Sequence, residues 1–216
     1  MNYTDTLTAL AEEAQQAFQA KHKAREQALA LSRECIRLSA NTIRAAHRRE
    51  FDQAQALLRQ AAQRVREMRD ALPNHQDLYY MGFVQGAQKE YAEASITLAF
   101  VADQPMPLPR QLQVEMAPYL NGLGEAVGEL RRFILDALRR DEVDRCEAAL
   151  ATMDEVYTLL VTMDYPEGVT GGLRRTTDMV RGTLERTRGD LTVAVRQQAL
   201  ERRLAELQGR MTDEAR

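Results

Sequence analysis

Tryptophan is absent from this chain of 216 residues, and only 6% of its residues are aromatic. Glycine and proline number 11 and 6. With β-branched runs short as well, little material is left for strands and tight turns, which excludes a β-rich fold. Cysteine occurs twice, at Cys35 and Cys146, with no C-x-x-C spacing. A disulfide framework and a zinc site therefore have no support, and a reducing, cytoplasmic compartment is expected. Apolar runs fall far short of the roughly 18 residues that a membrane helix needs, so no membrane association is expected. The start of the chain lacks a basic segment followed by an apolar block, so no secretory signal is expected. None of the three histidines, His22, His47 and His75, lies three residues after a glutamate. The Glu-x-x-His pairs of di-iron bundles are thus missing. Neither G-x-S-x-G nor a glycine-rich phosphate loop is present, so a serine hydrolase and the phosphate-loop nucleotide folds have no support.

What remains is helical material. Hydrophobic residues make up 44% and charged residues 28%, with Ala, Leu, Arg, Glu and Gln in excess. A first helix is expected from Asp5 to the Arg48–Arg49 region, capped by Thr4, Asp5 or Thr6 and long enough to admit a break. A second is expected over Phe51–Leu72, stopped by Pro73. Asp77 would cap a third, running to Val101. The proline-rich segment Gln104–Pro109 must be a loop. Further helices are expected over Gln113–Arg140, with Pro118 near its first turns, over Glu142–Met163, and over Leu173–Leu207. Residues 209–216 are read as a frayed tail. The whole, 1–216, reads as one all-α domain of about six to seven long antiparallel helices.

Charge is unevenly spread. Lys21 to Arg69 carries 12 basic residues against 5 acidic, a local balance of +7, while the remainder stands at −10. Arg33, Arg37, Arg44 and Arg48 fall within about 60° of one another on a helix, and Arg25 adds to the same region. A guanidinium fork bonds two phosphate oxygens and keeps its charge, so such a ladder suits nucleic acid. The plainer reading is a solvated face paired to Glu26 and Glu34. Acids here are too few to pair with most of the arginines.

Carboxylates offer the candidate chemistry. Glu90 and Glu93 are an i,i+3 pair, and Glu125 and Glu129 an i,i+4 pair, so each pair can aim at one point beside its helix. Glu90 shares a side with the expected buried stripe Phe83, Ala87, Ala94 and Val101. Small residues at Gly86, Ala94, Gly122 and Gly128 would let two helices approach. Four converging carboxylates would repel one another unless Mg²⁺, Mn²⁺ or protons neutralised them. In a helical protein with 32 acidic residues such pairs arise more often as solvated faces or salt bridges, on spacing alone. Tyr79, Tyr80 and Tyr91 are candidates for base stacking or for the core.

At these residues the chain resembles the translin family, in particular its archaeal members and the catalytic, translin-associated subunit. The likeness lies in Glu90-Tyr-Ala-Glu-Ala94, Tyr119-Leu-Asn-Gly-Leu123 and Gly128-Glu-Leu130. It extends to the Arg25–Ile36 region and, more loosely, to Asp164–Leu191. The resemblance implies an all-α translin fold of about seven helices and a closed homo-oligomeric shell, octameric in form. It also implies binding of single-stranded RNA or DNA, and Mg²⁺- or Mn²⁺-dependent endoribonuclease activity. It assigns Glu90, Glu93, Glu125 and Glu129 to catalysis and metal binding. Glu125 stands where the catalytic branch typically has Asp, one methylene shorter, and Pro118 replaces an acidic residue. The alternatives are a translin-like nucleic-acid binder with structural carboxylates, or a helical scaffold for protein partners. Arg25, Arg33, Arg37, Arg44 and Arg48 are the nucleic-acid-binding candidates.

Overall fold

The computed structural model describes residues 3–140 and 142–214. Among them the chain is all-α, with no strand. The helices are α1 (Thr4–His47), α2 (Phe51–Asp70), α3 (Gln76–Tyr79), α4 (Gly82–Val101), α5 (Pro109–Leu112), α6 (Met116–Leu138), α7 (Val143–Val161), α8 (Glu167–Thr170) and α9 (Leu173–Glu214). Three of these are single four-residue turns, which the helical periodicity of the sequence is too coarse to separate. The six long ones match the expected long segments. No helix among the described residues is long and apolar enough to cross a membrane.

The chain divides into two compact units, Met1–Gly122 and Leu123–Arg216, with the boundary inside the continuous helix α6. In the first unit α1 runs unbroken for 44 residues, about 66 Å. Its buried side begins at Ala28 and continues through Ser32, Cys35, Leu38, Thr42 and Ala45, the three-to-four spacing of one helical face. That face packs on α2 and α4. Side chains are small where the three helices meet. Ala61 and Ala87 are wholly buried, and their carbonyl oxygens lie 3.8 and 3.7 Å from Cys35 Sγ. Helix α4 is buried on nearly every side, from Val84 to Val101, as its apolar sequence requires.

The polar groups that remain in this unit fix where α6 begins. The Tyr79 hydroxyl donates to Glu115 Oε1 at 3.1 Å, and Gln88 Nε2 donates to the Tyr79 oxygen at 3.2 Å. The Glu115 backbone N–H donates in turn to Gln88 Oε1 at 2.9 Å. Tyr119 donates to the Pro107 carbonyl at 2.8 Å, tying the first turn of α6 to the proline loop. Pro118 sits in that first turn, where a missing N–H costs nothing.

In the second unit α7 packs on α9. Arg131 of α6 donates to Thr187 Oγ1 at 3.1 Å and to Asp190 at 2.8 Å. A Cβ on Gly124 would come within 2.3 Å of Thr176 Cγ2, so α6 and α9 touch closely there. Beyond Thr192 the side chains of α9 are mostly exposed, including Val193, Leu200, Leu204 and Leu207.

Several expectations change. Thr4, Asp5 and Thr6 lie inside α1, which Tyr3 precedes without a side-chain cap. Asp77 lies inside α3 and pairs with Lys21 instead of capping. The last helix does not stop near Leu207: it continues through 209–214, where no proline or left-handed residue interrupts it. Residues 215 and 216 lie outside the described residues.

Candidate functional site

Helix α4 presents Glu90 and Glu93 one turn apart. Glu93 is only 9% exposed, while Glu90 is half-buried with Lys89 Nζ at 3.5 Å. Helix α6 meets this segment at Gly122. A Cβ there would stand 2.6 Å from the Lys89 carbonyl oxygen and 3.0 Å from both Ala92 Cβ and the Glu93 nitrogen. The first of these contacts is backbone and cannot swing away, so only glycine permits the approach. Gly86 and Gly128, expected to play the same part, have open space where a Cβ would go. Ala94 is fully buried.

From Gly122 α6 continues without a break, and Glu125 follows in less than a turn. One carboxylate oxygen from each of Glu90, Glu93 and Glu125 lies within 4.8 Å of the other two. Three hard oxygen donors at that spacing fit a divalent cation such as Mg²⁺ or Mn²⁺, and without one they must repel. Glu129 is one turn further along α6, half-buried, with Arg132 3.9 Å away. Sequence reasoning missed Lys89, whose ammonium offsets part of the acidic charge. Its position inside Lys89-Glu-Tyr-Ala-Glu is the signal that would have found it.

The five arginines all lie on α1 or at its C-cap and are exposed. Their pairing is fuller than charge counting suggested: α1 places Glu26 and Glu34 within a turn of Arg25 and Arg37, and the link to α2 places Glu50 beside Arg48. Arg25 contacts Glu26, Arg37 reaches Glu34 at 3.8 Å, and Arg48 bonds both oxygens of Glu50 at 2.8 and 2.7 Å. Arg48 holds the Glu50 carboxyl below its usual range through those bonds. Arg44 donates to Asn41 at 2.6 Å. Arg33 makes no ion pair among the described residues. Exposed pairs of this kind are weak, because solvent and salt screen them.

The tyrosines divide. Tyr91 is buried and its hydroxyl is pushed above the usual range by that burial, whereas Tyr80 is exposed with its ring edge-on to Tyr79 at 5.1 Å.

No protein-family profile matches the sequence. An uncharacterized protein of Methanocaldococcus jannaschii, MJ0175, is 30% identical over 190 residues, covering 87% of this chain and 84% of its own length. The solved structure of AfC3PO, a translin-family protein, matches with a TM-score of 0.77 and 28% identity, over 85% of this chain and 96% of that one. The chain belongs to the translin family. AfC3PO in a complex with duplex RNA matches at a TM-score of 0.75 and 27% identity, over 85% and 95% of the two chains. Apo-NeC3PO, at 20% identity, shares the fold with a TM-score of 0.72 over 87% of this chain and 96% of its own. In this translin-family chain, the E-Y-A-E segment of α4 and the N-G-L-G-E segment of α6 supply the three clustered carboxylates.

Proposed function

We propose that this translin-family protein binds RNA or single-stranded DNA through the arginine face of α1 and cleaves single-stranded RNA with Mg²⁺ or Mn²⁺. The observation that carries the catalytic part is the carboxylate group Glu90, Glu93 and Glu125, whose oxygens lie within 4.8 Å of one another. These three residues would hold the cation, and Glu129, one turn on, is assigned to the same site by the family resemblance. When bound, the metal supplies positive charge to polarise a phosphate and stabilise charge developing on it. The chain's own groups do the rest. A carboxylate of the cluster takes the proton of the attacking water. Lys89 limits the excess negative charge that would otherwise repel the RNA backbone. Exposed arginines on α1 hold neighbouring phosphates and supply affinity.

Association into a closed homo-oligomer, an octamer, belongs to the same proposal. It is supported by apolar residues left uncovered in each unit. Leu7, Leu10 and Phe18 of α1 are 61, 58 and 72% exposed, and Leu200, Leu204, Leu207 and Met211 of α9 are half-exposed or more. Steps of three and eight on α1, and of four, three and four on α9, keep each set on one helical face, a stripe suited to another helix.

A second reading, binding without cleavage, is favoured by the complex of AfC3PO with duplex RNA, since phosphate contacts do not require a scissile strand. Labelled single-stranded and duplex RNA, each incubated with and without Mg²⁺, separates the two. Products from the single strand only with metal, lost on Glu129→Ala, support the nuclease. Retention of both RNAs intact supports the binder.

A further inference from the structure

The proline loop Gln104–Pro109, α2 and α4 border an open pocket of about 310 Å³ within the first unit. It opens on a face of α4 different from that of Glu90 and Glu93: Tyr91, Ser95 and Leu98 line it. That volume is at the lower end of small-molecule sites, which run from roughly 300 to 1,000 Å³.

The lining has a definite chemistry. Pro105 and Pro107 contribute rigid pyrrolidine rings to it, and Leu58 and Leu98 aliphatic side chains. Gln55 and Gln104 each bring a side-chain amide, one acceptor and two donors, with no hydrogen bond among the described residues. Arg59 stands exposed at the edge with no ion pair among the described residues. Not one carboxylate lines the cavity. An apolar slot, two free amides and one free guanidinium suit a planar heterocycle with a mixed donor and acceptor edge, attached to an anion. A nucleotide has this form.

We infer that this cavity is a nucleotide subsite, in which one unpaired base of a bound strand enters between the proline loop and α2 while Arg59 takes its phosphate. The inference rests on the single-strand reading above and adds a place where the strand is held away from the carboxylates. Bases packed in a duplex cannot enter, so the subsite favours single strands.

Nucleoside 5′-monophosphates and the matching nucleosides are titrated into the intact protein, with binding read by NMR shift changes and thermal stabilisation. The same preparation is titrated with a single-stranded RNA oligomer. The expected result is saturable binding in which the monophosphate exceeds its nucleoside by about tenfold, as a charge-assisted contact would give. Arg59→Ala should erase that preference, and Ala62→Leu, which fills the slot, should abolish mononucleotide binding with the helical circular dichroism unchanged. If Ala62→Leu does not fold, Gln55→Ala must weaken the monophosphate severalfold instead. Oligomer binding without mononucleotide binding overturns the subsite and leaves the single-strand reading standing. Mononucleotide binding unaffected by Arg59→Ala and Gln55→Ala also overturns it, and absence of both kinds of binding removes the reading on which it rests.

Discussion

Cys35 shows how far burial governs single residues here. It is fully buried between α1, α2 and α4, and desolvation pushes its thiol from 9.0 to about 12. The folded state therefore keeps this proton at pH values where the unfolded chain loses it. The resulting stability is complete below the unfolded value and is lost as pH rises from about 9 to about 12. The loss is on the order of 4 kcal/mol at most. The hydroxyls of Tyr79, Tyr91 and Tyr119, raised by desolvation as well, act in the same direction. Denaturant titrations should show the midpoint falling across this window, and Cys35→Ala should flatten the fall. Cys35 should also resist thiol reagents at pH 8 in the native protein. Rapid labelling without unfolding would show that the three-helix junction opens.

At the scale of the element, Gly122 decides where α6 lies on α4. Gly122→Ala must displace the Lys89 carbonyl contact, with an expected loss of about 1–3 kcal/mol of stability. The same shift carries Glu125 away from Glu90 and Glu93, so Mn²⁺ affinity, measured by calorimetry, should fall more than in Gly128→Ala, whose Cβ meets nothing. Equal effects of the two substitutions would detach the cluster from the helix contact. Helix α1 makes a separate prediction. Double Arg→Ala changes at Arg33 and Arg37 should weaken RNA binding and reduce its log–log salt slope by roughly 0.7 for each phosphate no longer neutralised. An unchanged slope would assign these residues to another surface.

The helices were legible because their apolar spacing is strong, and Glu90, Glu93 and Glu125 because their spacing and small neighbours coincide with a family pattern. What stayed hidden was non-local or purely geometrical. The break between α3 and α4 is a two-residue interruption without a proline. The contribution of Gly122, as against the idle Gly86 and Gly128, depends on which backbone lies opposite each glycine. Arginine pairing was misjudged because a count of charges ignores geometry: α1 brings Glu26 and Glu34 within a turn of Arg25 and Arg37, and the link to α2 sets Glu50 beside Arg48.

For the whole molecule, the proposed oligomer draws on the exposed apolar stripes of α1 and α9, and it should depend on concentration. Light scattering should find no stable monomer at micromolar concentration, and charged substitutions at Leu204 and Leu207 should shift the mass downward. A monodisperse monomer would rule out the shell. The carboxylate cluster is the centre of the proposed chemistry, and one measurement reaches it directly: cleavage and binding of the same single-stranded RNA in Mg²⁺ by the native protein and by Glu93→Gln. Glutamine keeps the shape of a side chain that is 9% exposed while removing its charge. Cleavage should be lost while RNA affinity stays within about twofold. Undiminished cleavage by a folded Glu93→Gln protein would contradict a catalytic metal held by these carboxylates.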